Sequence, residues 1–309
     1  MENALSHLVK CELCPRRCKA GRTRDRKGYC GVGKEIIVSH YGPHFGEEPP
    51  ISGEKGSGNI FFGGCNLKCI YCQNFQISQQ HEGERLDVNG LVSLFFSLAA
   101  QGVHNINLVS PTPYISFIAS AIRAAKGKGF TLPFVYNTNA YENVESLGLL
   151  KGLIDIYLPD FKYGNPKMGK LLSDAHEYPK WAKFAILEMK SQVGDLIVEK
   201  GIAKKGLLVR HLVLPNNLAG SKEVITWIKE NLGPQTYLSL MAQYNPLYKA
   251  STYPMLDRKI NRDEYNALLE LLHQYGFHNV YVQELESASC FVPDFKKDKP
   301  FQERTGTKG

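Results

Sequence analysis

Apolar and polar positions along the chain fall into two alternating rhythms. From residue 58 onward, compact runs rich in Ile, Val, Phe and Leu alternate with stretches whose apolar residues recur every three to four positions. The compact runs predict strands over 59–62, 106–109, 134–136, 154–158, 207–214, 237–241 and 280–284. The longer stretches predict helices over 89–101, 114–126, 181–190, 221–231 and 262–275, with a short apolar stretch at 147–150. Such alternation implies a parallel sheet with crossover helices, an α/β fold. Six strand–helix units give a partial (β/α)6 TIM-like barrel, closed or partly open. No internal repeat is visible. Three regions are expected: a cysteine-rich basic N-terminal module and loop over 1–50, the barrel core over 51–288, and a C-terminal tail over 289–309. The glycines and prolines of 39–50 read as ordered loop. The tail, lysine-rich and polar from about 291, is expected to fray.

Polar motifs interrupt this pattern at one recurrent place, the carboxyl end of a strand. Cys65 to Cys72 follow the first strand, Ser110-Pro111-Thr112 the second, Asn137-Thr138-Asn139 the third and Asp160-Phe161-Lys162 the fourth. Sheets of this class gather their chemistry at those ends, whereas chance would scatter the motifs over both. A single active site is expected there.

Composition adds limits. At 309 residues, with 43% hydrophobic and 22% charged residues, the chain reads as an ordinary soluble globular protein. Its longest apolar stretch, 91–100, is about half the length needed to cross a bilayer. No basic segment followed by an apolar run and a cleavage site opens the chain, so no secretory signal, no membrane partner and a cytoplasmic location are expected. The formal charge of +7 sits wholly between residues 10 and 34, where nine basic residues face two acids. Those cations either offset metal-bound thiolates nearby or form a docking face for an acidic partner or nucleic acid.

The eight cysteines carry the sharpest signal, and without export they point to metal chemistry more than to disulfides. Cys65, Cys69 and Cys72 stand in Gly63-Gly64-Cys65-Asn66-Leu67-Lys68-Cys69-Ile70-Tyr71-Cys72. This C-x3-C-x2-C triplet offers three thiolates where a tetrahedral metal or a cubane wants four. A [4Fe-4S] cluster held so keeps one iron open to something other than protein. The double glycine is expected to let backbone approach the cluster sulfides. Cys11, Cys14, Cys18 and Cys30 form a second set, suited to zinc or to an auxiliary iron–sulfur cluster. Zinc would brace the basic module; an auxiliary cluster would relay electrons or anchor substrate. Cys290 reads as a plain thiol.

With Tyr71 as its aromatic, the triplet resembles the C-x3-C-x-aromatic-C signature of the radical S-adenosylmethionine (SAM) superfamily. The nearest resemblance is to homologues of pyruvate formate-lyase activating enzyme. Gly42-Pro43-His44-Phe45-Gly46-Glu47-Glu48-Pro49-Pro50, Phe61-Phe62-Gly63-Gly64-Cys65 and Tyr71-Cys72-Gln73-Asn74 carry it, over nearly the whole length. The resemblance implies a barrel of the radical SAM type and an oxidoreductase in which the protein supplies no catalytic side chain of its own. An open iron would chelate SAM, and reductive cleavage would give a 5′-deoxyadenosyl radical that abstracts hydrogen from substrate. An electron donor such as flavodoxin or ferredoxin is implied, as is a protein substrate, a glycine of a glycyl-radical enzyme.

Site residues follow from the same resemblance. Asn137 and Thr138 stand where such activases carry Asp-Thr-Asn, and Asp160 with Lys162 matches their Asp-x-Lys, both lining the pocket for the methionine part of the cofactor. Asn137 removes a charge, which weakens any cation site built on that aspartate. Ser110 and Thr112 replace a Gly-Gly-Glu run, so they could meet the methionine ammonium only without formal charge. Arg210 is placed like a cofactor-contacting arginine. His44, Glu47 and Glu48, with Gln243 and Tyr244 after the sixth strand, either face substrate or cap local backbone. Two other readings stay open: radical modification of RNA or a small metabolite, and a non-enzymatic metal-stapled binding or redox-sensing protein. Substrate, reductant, N-terminal metal, oligomeric state and the fate of SAM are not legible in the sequence.

Overall fold

A computed structural model describes residues 2–285, 293–297 and 300–301, without the side chains of 2–4. Its strands, in chain order, are β1 (Ile36–His44), β2 (Ser57–Phe62), β3 (Glu84–Leu86), β4 (Ile106–Val109), β5 (Phe134–Thr138), β6 (Ile156–Pro159), β7 (Ile197–Glu199), β8 (Ile202–Leu212), β9 (Tyr237–Met241) and β10 (Val280–Val282). They form one sheet in the order β10-β9-β8-β6-β5-β4-β2-β1-β3, with β7 hairpinned onto β8. Every pairing from β2 through β4, β5, β6, β8 and β9 to β10 is parallel. β1 and β3 add antiparallel at one edge. The path keeps two ends among the described residues, so the barrel is partial.

Strands β2, β4, β5 and β6 are buried at every position. Their near-continuous apolar runs suit strands covered on both faces, as crossover helices require. Helices Val88–Ala100, Ile115–Gly127, Tyr178–Val193, Ser221–Leu232 and Arg262–Gln274 supply the outer layer. Local chemistry sets several of their starts. The Asp87 carboxylate accepts from the Gly90 amide at 2.8 Å, and Asn261 with Glu264 forms a reciprocal capping box. These are the expected elements, displaced by a few residues at their ends.

Three departures have physical causes. Half of the segment expected as loop over 39–50 is strand, because β1 runs to His44, and a short helix, Pro49–Ser52, closes it. β3 pairs only with Ile36–Val38, so the rest of β1 has one unpaired edge, where Pro43, lacking an N–H, is tolerated. Helix Pro166–Ser173 went unforeseen although Asn165 caps it and Pro166 opens it; helix Glu2–Val9 likewise precedes the cysteines. The described tail residues Asp294, Phe295 and Phe301 are packed against the barrel. Phe295 packs edge-on and Phe301 tilted against Phe61 at ring-centroid distances of 5.5 and 5.2 Å, and the Gln76 side chain bonds Asp294 and Phe295. Aromatic anchors offset the ordering cost of an otherwise polar segment. Cys290 lies outside the described residues. Among them, no helix is long and apolar enough to cross a membrane.

Candidate active site

The carboxyl ends of the parallel strands surround a cavity of about 570 Å³. Cys65, Cys69 and Cys72 face it from the β2 loop, Ser110 from the β4 loop, and Asn137 and Thr138 from the end of β5. Asp160 and Lys162 follow β6, Arg210 projects from β8, and Gln243 and Tyr244 follow β9. Tyr71, His44, Glu47 and Glu48 complete the expected residues at this cavity. Thr112 is the exception: it does not line the cavity, and its hydroxyl donates to the buried Glu142 carboxylate at 2.6 Å. A 3-10 turn over Thr112–Tyr114 carries it inward while Ser110, left-handed at φ 59°, stays at the rim.

Each sulfur of the triplet meets a donor. Cys65 Sγ receives the Leu67 amide and Asn139 Nδ2, both at 3.4 Å. Ser173 Oγ donates to Cys69 Sγ at 2.9 Å, and Ser78 Oγ lies 3.2 Å from Cys72 Sγ. Burial pushes the Cys65 and Cys69 thiols up to about 11 and raises Cys72 as well. Such thiols stay protonated unless a metal takes the proton's place, and donors aimed at the sulfurs favour that anionic, metal-bound form. Among the described residues, no three Cys, His, Asp or Glu side chains surround one point as a single ion requires. A cubane asks otherwise, since each thiolate meets a different iron. The donor set therefore fits a three-cysteine cluster.

Cations and carboxylates in the wall are paired. Lys162 Nζ donates to Asp160 Oδ2 at 2.7 Å. Burial alone would lower the Lys162 ammonium, but Asp160 and the Cys69 sulfur outweigh it and hold the charge. The Tyr178 hydroxyl, 2.8 and 2.7 Å from the carbonyls of Asn139 and Asp160, ties the β5 and β6 ends together. Arg210 Nε donates to Glu48 Oε1 at 2.8 Å, and its Nη2 reaches both Glu47 and Glu48. Glu47 Oε1 also accepts from Asn59 at 2.7 Å and Asn107 at 3.0 Å. Arg210 thus clamps the loop after β1 onto the sheet, with two of its nitrogens committed to carboxylates. The His44 ring packs tilted against Phe301 at a centroid distance of 4.4 Å. The Tyr71 hydroxyl meets Tyr163 at 2.6 Å, and the Tyr244 hydroxyl donates to the Leu256 carbonyl at 2.8 Å. Gln243 Oε1 accepts from Gln283 Nε2 at 3.2 Å.

Ser78, Ser173 and Glu142 escape the sequence motifs, while Asn139 belongs to the strand-end motif Asn137-Thr138-Asn139. Asn139 also bonds Asn66 within the cysteine loop at 2.9 Å, and Ser78 and Ser173 reach their sulfurs from short helices. Glu142 is fully buried; Thr112 and Thr138 donate to one carboxylate oxygen, while the other has no hydrogen-bond partner. Burial lifts its pKa to about 7, with those hydroxyl bonds opposing. An acid raised on folding contributes stability that is complete below its unfolded value near 4.5 and is lost as pH rises through 7. Glu142→Gln is therefore expected to remove a pH 5-to-7 decline in unfolding free energy on the order of 2 kcal/mol. Urea midpoints at several pH values check it. Ser173→Ala is expected to speed iron release to a chelator roughly tenfold or more, as for loss of other partners behind a metal ligand; an unchanged rate would remove Ser173 from the site.

The glycines before the triplet also serve the packing of the loop. A Cβ at Gly64, where φ is +80°, would stand 2.6 Å from Val32 Cγ2 and 2.8 Å from the Cys30 carbonyl. A Cβ at Gly63 would stand 2.6 Å from Ile37 Cγ2. Close contact with the N-terminal segment and with β1 demands these glycines.

A strand-end cavity fronted by three sulfurs on a partial parallel barrel defines an iron–sulfur enzyme class, and sequence comparison agrees. Residues 59–198 match the model of the Radical SAM superfamily. The uncharacterized protein MJ0674 of Methanocaldococcus jannaschii is 32% identical over 290 residues, covering 91% of this chain and 79% of its own. A second uncharacterized protein of that organism, MJ0808, is 26% identical over 80% of this chain and 73% of its own. The FeFe-hydrogenase maturase HydG from Carboxydothermus hydrogenoformans is a looser structural likeness, with TM-score 0.48 and 17% identity. That match covers 68% of this chain, which spans about half (49%) of the HydG chain. The chain belongs to the Radical SAM superfamily.

Proposed function

We propose that this protein is a radical SAM enzyme in which Cys65, Cys69 and Cys72 hold three irons of a [4Fe-4S] cluster. The observation that carries the reading is one cavity faced by all three cysteines and by the polar ends of β4, β5 and β6. When bound, the cluster supplies an electron that, by the reductive cleavage superfamily membership implies, splits SAM into methionine and a 5′-deoxyadenosyl radical able to take a hydrogen atom.

The chain's own residues bind, orient and shield. Ser110 and Asn137 offer neutral polar atoms to the amino acid end of SAM, while the Thr138 hydroxyl is committed to Glu142. Lys162, held charged by Asp160, sets a fixed cation beside the sulfurs and favours their anionic form. Arg210, with Glu47 and Glu48, fixes the wall across the cavity. His44 and the Phe61–Phe301 aromatic pair cover one side and restrict water. Enzymes of this superfamily generally need an electron donor; flavodoxin or ferredoxin in the cytoplasm would serve here. For substrate we favour a protein glycine of a glycyl-radical enzyme, on the resemblance to activating-enzyme homologues.

Anaerobic reconstitution, followed by dithionite and SAM, is expected to yield 5′-deoxyadenosine; none from cluster-loaded protein contradicts the proposal. Deuterium moving from α-deuterated glycine of a candidate protein into that product would establish the substrate, and its absence there would exclude it. For the RNA reading, Arg22 is fully buried and the Arg16 side chain only 9% exposed, whereas Arg17, Arg24 and Arg26 are exposed and able to meet phosphate.

A further inference from the structure

Six unpaired cations crowd one short stretch of the chain. Lys10, Lys19, Arg24, Arg26, Lys27 and Lys34 are exposed and make no ion pair among the described residues. The ion pairs of this stretch fall to their neighbours, Arg16 with Asp174 and Arg17 with Glu145. Backbone bonds knot the stretch together. The Cys11 amide donates to the Ala20 carbonyl at 3.1 Å, Lys19 to Cys11 at 2.9 Å, and Arg24 and Arg26 to Gly21 at 3.0 and 3.3 Å. Like charges held so close repel one another, and an anionic partner relieves that cost.

The knot lies against the loop that carries the cysteine triplet. Arg16 Nε donates to the Asn66 carbonyl at 2.9 Å, one residue from Cys65. The Arg16 guanidinium sits over the Tyr29 ring at 3.8 Å, and the Tyr29 hydroxyl donates to Asp174 at 2.5 Å. The Cys30 carbonyl and Val32 approach Gly64 too closely for a Cβ there. Yet the cavity wall begins at His44, and no described residue before it lines the cavity. The knot reaches the cysteine loop from outside, with no share in the space where a substrate reacts.

We propose that this cationic knot is the docking surface for an acidic, low-potential one-electron carrier protein that reduces the cluster. The inference rests on the radical SAM reading and adds where the electron enters. The reduced carrier loses one electron and the cluster gains it; no bond or proton moves. Such carriers meet their partners through small, transient interfaces, in which opposite charges steer the encounter. Phosphates of a nucleic acid would also meet these cations. Position decides between the two. An RNA substrate must put a nucleotide into the cavity, whereas an electron donor needs only a short path to the sulfurs. Arg16, Asn66 and Cys65 form such a path.

The variant R24E, R26E and K27E tests the surface, because these exposed side chains have no ion pair to lose among the described residues. Its control is K128E, K204E and K205E, the same charge change on exposed lysines at the amino ends of the strands. One readout is the affinity of the cluster-free full chain for flavodoxin or a plant-type ferredoxin, both acidic. The other is 5′-deoxyadenosine from the reconstituted chain, driven by dithionite or by flavodoxin kept reduced by its reductase. At low salt the knot variant is expected to lose roughly tenfold or more in carrier affinity and in carrier-driven product. Its dithionite-driven product should stay at the parent level, and the control should match the parent throughout. Added salt should weaken carrier binding by the parent far more than by the variant. Neither carrier binding the parent, or equal losses in variant and control, overturns the surface. So does RNA binding by the parent that the variant loses while its carrier affinity is unchanged. A parent inert with dithionite contradicts the radical reading instead, and affinity on the cluster-free chain still decides the surface.

Discussion

Replacing Cys69 by alanine is expected to reduce 5′-deoxyadenosine formation by more than about 100-fold, beyond the usual cost of losing a residue behind a metal ligand. Cys69 is buried at the cavity, with Ser173 donating to its sulfur and the Lys162 cation near it. Two remaining thiolates cannot hold a cluster that three positions. The fold should persist, because the loop is also tied by backbone bonds from Lys68 and Ile70 to Ser173 and Leu172. Circular dichroism like that of the parent, together with lost iron, is the expected pair of results. Activity retained by iron-loaded Cys69→Ala would remove the triplet from the mechanism.

Arg210→Met is expected to produce the largest loss of stability, about 3–5 kcal/mol, because it strands two neighbouring buried carboxylates. Arg210, Glu47 and Glu48 are all nearly inaccessible, with side chains 11%, 9% and 6% exposed. Burial would raise the Glu47 carboxyl, but the Arg210 charge outweighs it and holds the pKa below its ordinary value. In the parent this contribution is present above an unfolded pKa near 4.5 and is lost as pH falls through the folded value. Without the guanidinium, burial dominates and the sign reverses, so the variant should gain stability on acidification from pH 7 to 5. Urea denaturation at both pH values measures this. A loss under 1 kcal/mol with no reversal would mean that the clamp contributes little.

The parallel strands were readable because they are buried on both faces and so consist of apolar runs bounded by turns. β1 was not readable: half-exposed and partnered on one side beyond Val38, it tolerates Ser39, His40, Gly42 and Pro43. The residues facing the cavity could be named from strand ends, since topology alone brings those ends together. What each side chain does there could not. Thr112 turns away to Glu142, and Arg210 is committed to two glutamates far away in sequence. The residues behind the sulfurs, Ser78, Asn139 and Ser173, are common types whose meaning appears only when three-dimensional packing places them beside a thiol. The double glycine carried a signal whose packing side was not legible: its missing side chains admit Val32, Cys30 and Ile37.

Electron paramagnetic resonance of the reduced, anaerobically reconstituted protein, with and without SAM, tests the account most directly. A [4Fe-4S] cluster with one iron outside the protein's reach should change its g-values when SAM is added, and the Cys65→Ala, Cys69→Ala and Cys72→Ala chains should show no such signal. A reduced cluster whose spectrum is indifferent to SAM would contradict the open iron on which the proposed chemistry stands.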